Sequence, residues 1–429
     1  MALLESIKKE LSAGVDRRIP ELLETYRDFH RSPELSGQEK ETAGRVAEAF
    51  SRLGLTVTER VGGHGVVGLI QNGPENGPGP VLMLRGDMDA LPIREETGLF
   101  YASSAVTRNR SGEEVPVMHA CGHDLHTTAL IGTAGVLAAM KNHWSGTLLL
   151  VAQPAEEAIG GAKEMISDGL FARFPRPQWA LAFHVNPNHP TGTVAIRSGA
   201  ISTGSDNLDI MIRGMGGHGA TPHKTKDPVV LAAQTVIALQ TIVSREVDPA
   251  ETAVVTIGAV HGGTQRNIIA ESVCLQLTVR TYSIELRDQI VAAIRRISRG
   301  LAQAAGMPED RMPEVIRVDD FTPPVVNDSG LTQRITETFR DLFGENRVTE
   351  GRISTGSEDF SEFGAVDPPI PLLMYHVGCT APERLASGEK PAQLHTPAFS
   401  PDPESTLRTG ILAQCGAVLE LLKLAKCPM

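Results

Sequence analysis

Short, fully apolar runs that alternate with segments of helical spacing constrain the fold more than any other feature of this chain. Residues 81–84, 147–152 and 179–183 have the length and composition of buried strands. Segments of helical spacing, at 127–141 and 162–170, precede the second and third runs. Helices that alternate with strands apolar on both faces are typical of an α/β layer. We therefore predict a largely parallel sheet flanked by helices.

The ends of the chain extend this α/β pattern. Residues 1–18 read as an amphipathic helix, and helical spacing continues from 19 to 53, where Gly54 is a natural stop. A strand follows at 65–71, and the Gly- and Pro-rich stretch 72–80 predicts a surface turn. A last helix is predicted at 406–426. These segments complete the same domain.

The middle of the chain has a different order of elements. It reads as strand, helix, two strands, helix and strand, at 207–213, 228–244, 252–260, 272–282, 284–305 and 314–319. That βαββαβ order is the ferredoxin-like motif, a self-contained two-layer unit. We predict an inserted ferredoxin-like domain at 202–321, within a discontinuous α/β domain formed by 1–201 and 322–429.

Composition excludes several functional classes. The 429 residues carry a formal net charge of -11 and no long basic run, which argues against nucleic acid or an anionic membrane surface as partner. The N-terminal segment lacks the apolar core of a signal peptide, and no apolar run looks long enough to span a bilayer. Five cysteines make no disulfide framework in so long a chain. We expect a cytoplasmic protein.

Polar clusters follow three of the predicted strands directly. The first strand leads into residues 85–89 (Arg-Gly-Asp-Met-Asp), the second reaches Glu156 and Glu157, and the third reaches His184. Ligands of open α/β sheets bind beyond the carboxyl ends of the strands. Cys121 and His123 lie between the first two strands, and thiolate, imidazole and carboxylate together suit zinc, manganese or cobalt. A lone histidine there would more simply be a hydrogen-bonded loop residue.

The adjacent carboxylates Glu156 and Glu157 point to the same chemistry. Two such groups at the end of a buried strand repel each other and lose hydration. Strand geometry directs them to different sides, so one can ligate a metal while the other faces its water. The alternative is a solvated acidic turn.

In the insert, residues 214–219 match a dinucleotide-binding glycine pattern, but no helix opens there, and we interpret the stretch as a flexible turn presenting His218.

Together these motifs resemble the M20 metallopeptidase family, in particular its aminoacylase, hippurate hydrolase and auxin-conjugate amidohydrolase branch. The matching stretches occur in family order over nearly the whole chain, at residues 85–92, 118–126, 153–157, 183–185, 216–223, 266–269, 356–360 and 394–397.

The resemblance implies a role for each candidate residue. Two divalent metal ions (Zn, Mn, Co or Ni) would be held by Cys121, His123, Glu157, His184 and His395. Glu156 would be the general base. The insert would be a lid and dimerisation domain that brings His218 to the active site of its partner as an oxyanion donor. Asn267 and Arg280 would hold the substrate.

This chain departs from the broader family at one position. Many relatives have His-x-Asp where this chain has Asp87-Met88-Asp89. One metal-binding imidazole is therefore missing, and Cys121 and His123 would complete the coordination instead. We place Asp89 in the catalytic set as support for the ligands, and we expect a similar supporting role for Asp87.

The predicted activity is hydrolysis of an N-acyl amino acid, or of a similar amide beside a carboxylate, by a metal-bound hydroxide in a cytoplasmic homodimer. A dipeptidase or carboxypeptidase of the same family is the alternative. Two further alternatives are more distant: a cysteine hydrolase with Cys121 as nucleophile, and a non-catalytic metal-binding relative.

For Gly356–Phe360, the capping-box spacing of Thr355 and Glu358 predicts a helix start, whereas the resemblance implies a site-facing role.

Overall fold

A computed structural model describes residues 3–73, 79–318, 321–388 and 390–423, and the chain forms two compact units. The first unit comprises Met1–Ile201, Val326–Ile353 and Asp359–Met429, and the second comprises Ser202–Val325 and Ser354–Glu358. The insert predicted at 202–321 lies within the second unit. That unit is slightly larger because 322–325 and 354–358 also belong to it.

The first unit is built on a ten-stranded sheet whose centre is parallel, as predicted. Gly146–Gln153, Val81–Asp87, Trp179–Pro190 and Leu372–Thr380 run side by side in that order and in the same direction. Apolar residues fill these strands, and both faces of the central ones are buried. The other strands are Thr56–Val61, Gly65–Asn72, Val194–Ile196, Gly199–Ala200, Val326–Asn327 and Val348–Glu350.

Helices cover this sheet. His123–Ala139 is apolar around its circumference, and it packs against Glu5–Arg31, Pro403–Leu421 and the strand Val81–Asp87. The other α-helices of the unit are Lys40–Arg52, Gly161–Ser167, Leu170–Arg173, Ser329–Phe343 and Pro382–Ala386. Short 3-10 helices are Lys141–His143, Glu345–Arg347 and Asp359–Phe363.

Several predicted boundaries were wrong. The segment 19–53 is two helices, Glu5–Arg31 and Lys40–Arg52, because the chain leaves helical geometry at Ser32, before Pro33. The helix predicted at 127–141 begins at His123. The third apolar strand continues to Pro190, so His184 lies within it and not beyond its end.

The second unit has the predicted βαββαβ order. Its antiparallel sheet has the strand order Ala253–Gly262, Ser272–Thr281, Gly204–Arg213 and Glu314–Arg317, which is the ferredoxin-like arrangement. Two helices, Pro228–Thr241 and Ile284–Ala304, pack on it, and Ile242–Glu246 adds a π-helical turn. A separate ribbon pairs Gly217–His218 with Ile268–Ile269, and the 3-10 helices Pro222–Lys224 and Glu309–Arg311 lie in loops.

The first unit also contains a short hairpin, formed by Val106–Arg108 and Glu114–Pro116.

One prediction about membranes needs correction. Among the described residues, Pro228–Glu246 is a helix long and apolar enough to cross a bilayer. It packs on the four-stranded sheet, although only about one third of it is buried. One helix of this length and composition is weak evidence for a membrane span, so this stretch carries no membrane assignment.

Some predictions fall partly outside the described residues. These are the surface turn at 72–80, where 74–78 are not described, the strand end at 319, and the helix end at 424–426. Of the five cysteines, Cys121, Cys274, Cys379 and Cys415 are free thiols, and Cys427 lies outside the described residues.

Candidate metal centre

The five predicted metal ligands come from separate parts of the first unit and lie together at one edge of its sheet. Gly122 starts the helix His123–Ala139 with φ +80°, and a Cβ atom there would lie 2.5 Å from Val185 Cγ2. Only glycine therefore allows the helix start to approach the strand that carries His184. This close approach brings Cys121 and His123 beside His184.

The distances between donor atoms match those of a metal centre. Cys121 Sγ lies 3.4 Å from His184 Nε2 and 3.1 Å from His395 Nε2. Glu157 Oε1 lies 3.3 Å from His395 Nε2 and 3.8 Å from His123 Nε2. Two ligands on one tetrahedral zinc ion lie about 3.5 Å apart, given metal–ligand distances of about 2.0–2.3 Å.

Hydrogen bonds direct the lone pairs of the histidines into the site. His184 Nδ1 donates to the Val185 carbonyl at 2.8 Å, so Nε2 is the atom with the free lone pair. His123 Nδ1 lies 3.2 Å from Asp89 Oδ1. The buried atom His123 Nε2 has no hydrogen-bond partner among the described residues. Such an atom is costly unless something binds it, and a cation would satisfy it.

The sulfur of Cys121 belongs to two groups of donors. In one it joins His123 and His184, and in the other it joins Glu157 and His395; within each group the ligand atoms lie within 4.8 Å of one another. A thiolate, imidazoles and a carboxylate form the donor set expected for a borderline divalent metal. The residues present therefore fit divalent metal binding.

The electrostatics of the site also agree with cation binding. Burial raises the pKa of the Cys121 thiol well above its usual value, and the charges of Glu157 and Glu156 add to this. Burial would lower the pKa of His123, but Asp87 and Asp89 outweigh it and raise that pKa to about 10. Without a metal, the Cys121 thiol and the His123 ring therefore keep their protons, and a divalent ion that binds these groups would displace those protons.

Asp89 contacts two parts of the site. Its Oδ1 faces His123, and its Oδ2 accepts hydrogen bonds from the Ser36 hydroxyl at 2.6 Å and from the Glu157 backbone N–H at 3.0 Å. It therefore orients one predicted ligand through its ring and another through its backbone, the kind of support common around protein-bound metals.

A buried charge network lies behind the predicted ligands. Asp87 contacts His126 Nδ1 at 2.6 Å and accepts from Arg85 Nη1, also at 2.6 Å. His126 Nε2 accepts from the Val185 N–H at 3.0 Å, so its ring is fixed at both nitrogens. The sequence interpretation gave no role to Arg85 or His126, although both lie within quoted motifs.

Asp359 joins the same network. One of its oxygens accepts from Gln153 Nε2 at 2.6 Å and from Arg85 Nη2 at 3.3 Å, and the other accepts from the Ala162 N–H. It thereby links the ends of two parallel strands. A helix does begin in this segment, as the spacing of Thr355 and Glu358 predicted, but it is the short 3-10 helix Asp359–Phe363 and it starts after Glu358.

In the second unit, the structure brings His218 and Asn267 together. His218 pairs with Ile268 in the two-stranded ribbon, and the Gly219 N–H donates to the Asn267 carbonyl at 2.8 Å. Within the stretch predicted to be a flexible turn, Gly217 and His218 therefore form a paired strand, and a turn follows at Gly219 and Ala220. The Ala220 N–H donates to His218 Nδ1 at 3.0 Å, which leaves the ring proton on Nε2.

Arg280 lies elsewhere in this unit, on the strand Ser272–Thr281, whose buried and more exposed residues alternate as predicted. Its Nη1 donates to Ser357 Oγ at 2.8 Å and approaches the Thr355 carbonyl at 3.4 Å. These neutral partners hold the guanidinium but do not neutralise it. The alternative of a surface ion pair gains no support from these contacts.

Comparisons with known proteins support the same assignment. The family model described as Peptidase family M20/M25/M40 matches residues 83–418. A hippurate hydrolase of Campylobacter jejuni is 38% identical over 354 residues, covering 80% of this chain and 87% of that protein. An N-acetyl-L-cysteine deacetylase of Bacillus subtilis is 33% identical over 343 residues, covering 80% and 77%.

A solved structure from Bacillus subtilis, described as a dinuclear metal-binding peptidase of the M20 family, aligns with a TM-score of 0.77 and 28% identity. The alignment covers 95% of this chain and 99% of that one. The resemblance found in the motifs is thus confirmed over nearly the whole chain. This chain is a metal-binding amide hydrolase and belongs to peptidase family M20/M25/M40.

Proposed function

We propose that the protein hydrolyses the amide bond of N-acyl amino acids with two divalent metal ions held by Cys121, His123, Glu157, His184 and His395. The observation that carries this proposal is the Cys121 sulfur, which lies close to His123 and His184 on one side and to Glu157 and His395 on the other. These five residues would hold the ions. Zinc, manganese, cobalt and nickel all accept such ligands.

A divalent metal supplies an acidified water and a polarised amide carbonyl. Glu156 is the proposed general base. The residue is 6% exposed, and its Oε2 lies 3.9 Å from His123 Nε2, at the edge of the donor cluster. It takes the proton of the attacking water and delivers it to the leaving nitrogen.

The second unit supplies the proposed substrate contacts. The Nε2–H form of His218 is the donor that a developing oxyanion requires, and the bond from Ala220 favours that form. Arg280 can bind a substrate carboxylate with two parallel hydrogen bonds, and Asn267 would assist it. A substrate with a carboxylate beside the amide also agrees with the names of the two relatives, which refer to hippurate and N-acetyl-L-cysteine.

We further propose a cytoplasmic homodimer that assembles through the second unit. The helix Pro228–Thr241 exposes Val229, Val230 and Ile237, the last of them at 72% of its surface. Exposed apolar side chains on one helix commonly mark an interface. We propose that a second copy of this chain binds this helix, and that each subunit then brings its His218 to the active site of the other.

A substrate panel tests the proposed activity. Metal-free protein is reconstituted with zinc, manganese, cobalt or nickel and incubated with N-acetyl, N-benzoyl and longer N-acyl amino acids, their carboxamide counterparts, and dipeptides. We expect hydrolysis of the acids, much slower hydrolysis of the carboxamides, and loss of activity with a chelator. Faster turnover of dipeptides would favour the peptidase alternative, and chelator-resistant activity that alkylation abolishes would favour Cys121 as nucleophile.

A further inference from the structure

Glu39 is a buried carboxylate that the proposed chemistry does not use. It lies at the end of the connection between the helices Glu5–Arg31 and Lys40–Arg52, and none of its surface is exposed. Its Oε1 accepts hydrogen bonds from the Gly37 N–H and the Ala155 N–H, both at 2.8 Å. Burial, and then the negative charge of Asp89, raise the pKa of Glu39 to about 7. Buried carboxyl groups with a raised pKa cluster at functional sites.

The hydrogen bond to Ala155 reaches the turn that carries both site carboxylates. Ala155 directly precedes Glu156, and its φ of +51° is a conformation that L-residues rarely adopt. The Ala155 carbonyl accepts from the Gly161 N–H at 3.2 Å, and a Cβ atom at Gly161 would lie 1.6 Å from the Pro154 carbonyl oxygen. Surrounding contacts must hold such a strained turn, and Glu39 supplies one of them.

The same connection also holds the other side of the site. The Ser36 hydroxyl donates to Asp89 Oδ2 at 2.6 Å, and this oxygen also accepts from the Glu157 N–H. Leu35 and Ala90 form a parallel β-bridge beside it. The connection therefore contacts the Pro154–Glu157 turn through Glu39 and the end of the strand Val81–Asp87 through Ser36.

We infer that Glu39 is a positioning residue, which fixes the turn at Ala155 so that Glu156 and Glu157 keep their places in the metal centre. This inference rests on the roles given to Glu156 and Glu157 above. Ser36 does the same for Asp89. Removing either hydrogen bond leaves every proposed ligand in the chain but loosens their arrangement.

Three variants of the metal-loaded protein test this role. Glu39→Ala should lower kcat by about 10- to 100-fold, leave KM nearly unchanged, and weaken zinc binding by a similar factor in competition with a chelator. Glu39→Gln retains an acceptor for the Ala155 N–H and should restore most of both losses. The matched control is Glu34→Ala, which removes a carboxylate of the same connection that accepts from the Glu41 and Thr42 N–H groups instead. It should keep wild-type kcat and zinc affinity.

A purely structural role for Glu39 would lower the thermal midpoint but leave kcat and zinc affinity of the folded protein unchanged, and that result overturns the inference. So does a Glu39→Gln variant as impaired as Glu39→Ala. If Glu39→Ala does not fold, Ser36→Ala decides: reduced kcat and zinc affinity support the connection's positioning role, and wild-type values overturn it. Absence of N-acyl amino acid hydrolysis by the wild type would instead refute the proposed substrate, because zinc affinity still reports on Glu39.

Discussion

Cys121 belongs to two groups of donor residues, one with His123 and His184 and one with Glu157 and His395. Cys121 lies in a loop, and its neighbour His184 lies in a strand. Its other neighbour, His395, comes from a segment 274 positions after Cys121 in the sequence. His395 itself has a φ of +60°, a backbone strain of the kind that collects at functional sites. Individual side chains, more than whole elements, therefore define this metal centre.

Replacement of Glu156 separates catalysis from metal binding. Glu156→Gln keeps the size of the side chain but removes the base, so we expect kcat to fall by about 10²–10⁴-fold. Metal content, measured by elemental analysis, should stay at the wild-type value. Glu157→Gln is the matched comparison, and it should lose metal affinity because its oxygen is a proposed ligand. Full activity of Glu156→Gln would show that another group accepts the proton.

The sequence pointed to the candidate ligands and to the nearby supports Asp87 and Asp89, but not to the more distant supports Glu39 and Ser36. Cys121, His123, Glu157 and His184 lie in dense polar clusters next to apolar strands, so local sequence reveals them, and the family motif adds His395. Glu39 and Ser36 reach their partners across 116 and 53 positions, through hydrogen bonds that leave no local pattern. Such residues become visible only in three dimensions.

At the scale of elements, the buried network of Arg85 and Asp87 ties the parallel strands to the helix His123–Ala139. Asp87 contacts Arg85 within its own strand and His126 in the first turn of that helix. Because all three side chains are buried, each charge depends on its partners. The network keeps the strand ends and the helix start in register around the site.

Asp87→Asn should therefore destabilise the protein strongly. It removes the carboxylate that lies 2.6 Å from the buried Arg85 guanidinium, and loss of one partner of a buried ion pair costs up to about 3–5 kcal/mol. Asp359 remains as a partner of Arg85 at 3.3 Å. Urea unfolding of the metal-free protein measures this change. Glu350→Gln is the control, because the carboxylate of Glu350 is 79% exposed in its pair with Arg197. Its effect should stay within about 1 kcal/mol, and equal effects of the two variants would contradict the buried-network account.

Element types were easier to predict than element boundaries. The apolar runs and the alternating pattern of Ser272–Thr281 were clear signals of strands, and the structure has strands at these places. The helix that starts at His123 was placed four residues too late, because a helix buried on all sides has no amphipathic period to mark its start. The limits of the second unit were similarly displaced, since residues 354–358 join it from a distant part of the sequence.

At the scale of the whole molecule, stability should depend on a buried histidine. His30 is 1% exposed and lies between Asp124, at 2.7 Å, and Glu95, at 3.1 Å. Burial alone would lower its pKa, but hydrogen bonds to these two carboxylates outweigh it and raise the pKa to about 9. The folded protein therefore binds a proton here more tightly than the unfolded chain does.

The sign of the pH effect follows. An unfolded histidine has a pKa of about 6.5, so the stabilisation is fully present below that pH and is lost as pH rises through about 9. The loss is on the order of 3 kcal/mol. Free energies of unfolding of the metal-free wild type and of His30→Gln, compared over this range, isolate the effect. A difference between the two that does not shrink with rising pH would contradict it.

A crystal structure of the manganese- or cobalt-loaded protein, with anomalous scattering recorded for that metal, tests the central claim most directly. We predict two anomalous peaks, both within bonding distance of Cys121 Sγ, whose other contacts are drawn from His123, Glu157, His184 and His395. Peaks located away from Cys121, or a saturated crystal without a peak among these five side chains, would contradict the assignment of the metal centre.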